Sequence, residues 1–246
     1  MPSLIQDLYM IPFKLVEGMV YLIISVIILK RNKKDLLNQA FFLSILSWGI
    51  YILLDMILYP LAHFETQNFG SVTVNSETYV LPMVANILRD LAIAFAGGLA
   101  VGFLYATVIL RYGEEFAKQG KIVMSFIIIY LGLVIPTILF DQTLKANDYV
   151  KSSFNLGSVV MMFAQILIFI LGLNNLLRLY FRFDNVDIKK RIGYFILGNG
   201  MLLGGIIFFI LVGVMNLSGY AFITGPIGHT IWTLGAIFIY KGITRP

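Results

Sequence analysis

The chain of 246 residues contains no cysteine, which excludes disulfides, thiolate metal sites and cysteine nucleophiles, and leaves the redox compartment unmarked. Histidine is nearly as scarce, with only His63 and His229, too few for a His-rich metal centre. Charged residues make up 13% of the sequence, about half of the roughly 25% usual in a soluble domain. Catalytic signatures are missing as well. There is no H-E-x-x-H, no G-x-S-x-G elbow, and no spaced set of aspartates that would hold a metal for phosphotransfer. The chain therefore reads as a non-enzyme, with no cofactor motif and no metal set.

Apolar side chains fill the space instead. Hydrophobic residues reach 59% and mean hydropathy is +0.88, which marks an integral membrane protein. A net charge of +5 would suggest nucleic acid in a soluble protein. Here the basic residues fall in short clusters between apolar runs, as membrane topology demands, so nucleic acid is not an expected partner. The start, "MPSLIQDLYMIPFKLVEGMV", lacks a basic n-region and a small-residue cleavage site, so the first apolar segment is read as a span rather than a removable signal.

A spanning helix needs about 20 predominantly apolar residues. Seven segments qualify, at roughly 11–30, 37–61, 80–110, 122–140, 156–178, 192–215 and 221–240. The predicted fold is all-α: a single seven-helix transmembrane domain over 1–246. The first, third and fifth connections and the tail carry all but four of the 18 Lys and Arg. The exceptions are Lys145 and Lys151 in the fourth connection, and Lys14 and Arg89 inside spans. This bias predicts an outside N-terminus and a cytoplasmic C-terminus, in the plasma membrane. The longest connection offers at most a β-hairpin, in "FGSVTVNSETYV". Asn216 opens an Asn-Leu-Ser triplet close to the bilayer, a pattern common by chance. Gly98 and Gly102 on the third segment, and Gly200 and Gly204 on the sixth, form small-xxx-small pairs, and predict that these two helices are tightly packed.

Counting helix rise from each cytoplasmic end sets five charges at one depth near the outer edge of the hydrocarbon. They are Lys14 and Glu17 on the first segment, Asp55 on the second, and Arg89 and Asp90 on the third. Charges in lipid are costly and should pair or face the bundle interior. The spacing predicts Lys14 with Glu17 and Arg89 with Asp55, leaving Asp90 spare. Deeper polar groups are His229, one turn from Trp232 on the seventh segment, with Gln165 and Asn199. Together Lys14, Glu17, Asp55, Arg89, Asp90, His229 and Trp232 make a candidate ligand-binding vestibule open to the outside.

The segment "LLRLYFRFDNVDIKKRIGYFILGNGMLLGG", residues 176–205, resembles the fifth-to-sixth-helix connection of the seven-helix sensor modules that precede histidine kinases in prokaryotes. The residues that carry the likeness are Arg178, Tyr180, Arg182, Lys190, Arg191 and Gly198. The resemblance covers about 30 residues and the topology, and the chain departs from that pattern by stopping five residues after Lys241. It implies a sensor acting through a separate cytoplasmic signalling protein. The expected partner face is Arg31, Lys33, Lys34, Lys189, Lys190 and Arg191, the same basic clusters that anionic lipids would select. The seventh segment has no mid-span lysine, so a retinal Schiff base is excluded. A receptor-like sensor for a small ligand, a small-solute transporter or channel, and a structural subunit of a membrane complex remain open on these residues.

Overall fold

The computed structural model describes residues 4–69, 71–74, 77–80, 84–140, 156–215 and 217–244. The long helices are α1 (Leu4–Arg31), α2 (Leu36–Phe69), α3 (Val84–Tyr112), α5 (Gly120–Phe140), α6 (Leu156–Arg182), α7 (Val186–Val214) and α8 (Ala221–Thr244). A single turn, α4 (Glu114–Ala117), precedes α5, and a 3₁₀ turn, Leu217–Tyr220, precedes α8. Among the described residues seven helices are long and apolar enough to cross a membrane, so the chain is a polytopic all-α bundle. Between α2 and α3 a small hairpin pairs β1 (Ser71–Val74) with β2 (Glu77–Val80), antiparallel, with Val72 opposite Tyr79. Asn216, Lys145 and Lys151 lie outside the described residues.

The helices outrun the apolar segments at most ends, because backbone hydrogen bonding continues past the last apolar side chain. The fifth connection shrinks most, to Phe183–Asn185. There the Asn185 side chain accepts from the amides of Asp187, at 2.9 Å, and Ile188, at 3.2 Å, and so caps α7 six residues before the expected start. The opposite correction applies to the third segment, where Val80 belongs to β2 and α3 begins at Val84.

Around the bundle the neighbours run α1, α2, α3, α6, α7, α8 and back to α1, with α5 outside, against α3 and α6. One continuous cluster of buried side chains draws on all seven long helices. Lipid gives little hydrophobic drive between helices, so close approach and side-chain donors to neighbouring carbonyls must hold the seams. Ser44 donates to the Leu99 carbonyl at 2.7 Å, Gln165 to Ala96 at 3.2 Å and Tyr130 to Ala94 at 2.8 Å. Across the middle, Phe41 of α2 stacks on Phe195 of α7 with centroids 5.1 Å apart.

The glycine expectation holds for one pair only. A Cβ at Gly98 would lie 2.5 Å from Ser47 Oγ, and one at Gly102 2.7 Å from Ser44 Cβ, so both serve the α2–α3 seam. Gly200 and Gly204 have nothing within 4 Å. The tight glycines of α7 are Gly198, where a Cβ would meet the Gly235 carbonyl at 2.7 Å, and Gly205, where it would run into the Trp232 indole. The third and sixth spans are therefore each tightly packed, but against α2 and α8, through glycines that turn toward those neighbours.

Candidate functional site

The site forms where α1, α2 and α8 meet, in the half of the bundle nearer the start of α1. Glu17 lies 14 residues before the end of α1 at Arg31, about 21 Å along the axis. His229 lies 15 residues before the end of α8 at Thr244, about 22 Å. The two face each other at matching depth, with His229 Nδ1 2.5 Å from Glu17 Oε2. The second carboxylate oxygen, Oε1, accepts from Trp48 Nε1 at 2.9 Å. Glu17 is completely buried and His229 is 5% exposed. A buried carboxyl without partners would cost several kcal/mol, on the order of 3–5; the Trp48 indole donates to one oxygen and the His229 ring nitrogen lies within hydrogen-bond reach of the other.

Aromatic side chains wall this pair on its inner side. Trp48 and Trp232 meet edge-to-face with centroids 5.0 Å apart. Phe209 of α7 packs on Trp232 at 4.7 Å and against His229 at 5.9 Å. Tyr21, one turn below Glu17, donates to the Trp232 carbonyl at 2.9 Å, and Trp232 Nε1 donates to the Leu202 carbonyl at 3.2 Å. Trp232 thus ties α8 to α1 and α7 at once.

One turn nearer the start of α1, Lys14 Nζ meets Asp55 Oδ2 at 2.7 Å, with the two side chains 13% and 18% exposed. Both expected pairings need revision. Lys14 reaches across the α1–α2 seam along its flexible stem instead of folding back onto Glu17, and Asp55 receives Lys14. Arg89 is half-buried and Asp90 exposed on the first turns of α3, and each has an interaction of its own. That helix start is fixed by Glu65, a buried carboxylate of α2 whose Oε2 accepts from the Ala85 amide at 3.1 Å, satisfying one of the free amides of α3.

The structure therefore brings Glu17, His229 and Trp232 together, sets Lys14 and Asp55 one turn above them, and leaves Arg89 and Asp90 at the rim. Trp48, Tyr21 and Glu65 are additional members. Trp48 had a signal in the sequence: it precedes Asp55 by seven residues, two helical turns, and so shares its face. Gln165 and Asn199 are both buried, as expected of interior polar groups. Asn199 donates to the Phe195 carbonyl at 2.8 Å, while its Oδ1 has no hydrogen-bond partner among the described residues.

At the opposite end of α8 the expected cytoplasmic residues divide into two sets. Arg31 donates to the Ile243 carbonyl, and Arg191 donates to Gly242 at 3.2 Å and Ile243 at 3.3 Å. These arginines cap the last turn of α8, whose free carbonyls favour cations. Lys33, Lys34 and Lys190 are exposed, and Lys189 sits 6.0 Å from the Tyr180 ring. No protein-family model matches the chain, and no curated protein and no solved structure matches it.

Proposed function

We propose that this is a receptor-like sensory membrane protein of the plasma membrane, with its N-terminus outside and its C-terminus in the cytoplasm. The stimulus acts at the vestibule of Lys14, Glu17, Asp55, Arg89, Asp90, His229 and Trp232. The orientation rests on the basic connections. The sensory reading rests chiefly on α8: one helix carries His229 and Trp232 at the buried site and ends in the carbonyls held by Arg31 and Arg191. A ligand that alters the hold on His229 acts on the same rigid element whose far end meets the cytoplasm, so α8 is the element that would move between two positions in signalling. Lys33, Lys34, Lys189 and Lys190 then offer a basic surface to anionic lipid and to a signalling partner. The likeness of residues 176–205 to kinase-linked sensor modules agrees with this reading. The aromatic layer beneath Glu17 favours a site closed on its inner side over a path through the bundle.

The absence of native cysteine makes the test direct. A fluorescent bimane on Lys241→Cys should change emission when Asp55→Asn removes the outer pair. Unchanged emission, or saturable solute flux in liposomes abolished by Asp90→Asn, would overturn the sensory reading in favour of a passive or transporting bundle.

A further inference from the structure

We propose that the stimulus read at this site is the proton, an inference that rests on the sensory reading above. His229 and Glu17 form a proton-binding site filled from the outer face, and its occupancy sets the hold between α1 and α8.

The argument is one of donors and acceptors. Both Glu17 oxygens already accept, Oε1 from the Trp48 indole and Oε2 facing His229 Nδ1 at 2.5 Å. A neutral imidazole can donate Nδ1–H to Oε2, and an imidazolium, with a proton added at Nε2, donates the same bond with a charge behind it. A second proton must go onto the carboxylate, on a lone pair that neither donor uses, and it removes the negative charge facing the imidazolium. The charge-assisted bond becomes a bond to a neutral acid with a buried cation left uncompensated, so the contact that joins α1 to α8 weakens. Proton count is thereby converted into helix position, which is what a sensor of acidity requires.

Access is one-sided. Outward of Glu17 stands the partly exposed Lys14–Asp55 pair, which bridges the α1–α2 seam. Inward stand Tyr21, Trp48, Trp232 and Phe209, packed against one another. The titratable groups around the pair are Lys14 and Tyr21 of α1, with Asp55 and Tyr51 of α2. From α7 and α8, residues 192–240 contribute no Asp, Glu, Lys or Arg.

The protein carries its own reporter, since its 2 tryptophans, Trp48 and Trp232, both lie in the site. Tryptophan emission of the full chain in detergent should change reversibly with pH. His229→Gln, which keeps an amide donor for Oε2, should abolish the change, while His63→Gln should preserve it, with helix content of each variant checked by circular dichroism. In right-side-out vesicles the emission should follow external pH and ignore internal pH. A flat wild-type profile, or a transition that survives His229→Gln, overturns the proton site and leaves the sensory reading to another ligand. A site that titrates while bimane at position 241 stays silent keeps the proton site and removes the sensory reading.

Discussion

Replacing His229 by alanine removes the donor at 2.5 Å from Glu17 Oε2 and leaves a completely buried carboxyl with the Trp48 indole as its remaining strong partner. Two effects of different size compete in setting the loss. Interhelical hydrogen bonds within membranes average about 0.6 kcal/mol and reach about 1.7, because the separated helices find other partners. Breaking a buried ionic pair by removing one member costs about 3–5 kcal/mol, because the remaining charge is stranded. Full burial of Glu17 places His229→Ala in the second regime, with an expected loss of about 3–4 kcal/mol. Glu17→Gln alone should cost about 2 kcal/mol by losing the charged acceptor, and because it also relieves the stranded charge the double variant should lose no more than His229→Ala alone, so the coupling energy is about 2 kcal/mol or more. Reversible unfolding in bicelles, followed by far-ultraviolet circular dichroism, measures all four corners of the cycle. A coupling below about 0.5 kcal/mol would refute the claim that the pair acts as a unit.

The remaining expectations concern packing, capping and sidedness. Gly98→Val drives a branched side chain into Ser47 and should lower stability by about 1–3 kcal/mol. Gly204→Ala meets open space and should leave it unchanged or raise it by about 0.5–1 kcal/mol through helix propensity, both read from the same unfolding curves. Arg31→Ala together with Arg191→Ala removes the donors to the Gly242 and Ile243 carbonyls, and amide exchange in the last turn of α8 should quicken while the turn around His229 stays protected. In intact cells an impermeant maleimide should label Val74→Cys in the β-hairpin and spare Lys33→Cys, with the reverse pattern in inverted vesicles.

The spans were legible because length and hydropathy are local properties, and the hairpin because alternation and turn residues lie within one connection. Helix ends were not, since Asn185 caps α7 through a polar loop that hydropathy discards. Partner choice was not legible either. Sequence spacing offered Lys14 to Glu17 at three residues, whereas the bundle supplies His229 from 212 residues away and Trp48 from 31. The choice among glycines failed for the same reason. Gly198 and Gly200 stand two residues apart, on opposite sides of one helix, and only the neighbours decide which side is crowded. What composition does reveal is that a buried acid in a lipid-facing sequence needs donors. The indole and imidazole that meet that need are the chain's rarest side chains.

The claim that joins site to output is that the Glu17–His229 contact sets the position of the cytoplasmic end of α8. Spin labels on Lys33→Cys and Lys241→Cys, with distances measured by pulsed electron resonance in lipid nanodiscs, test it most directly. Glu17→Gln should shift or broaden the distance distribution relative to the otherwise unaltered chain. Superimposable distributions in a folded Glu17→Gln protein would contradict the account.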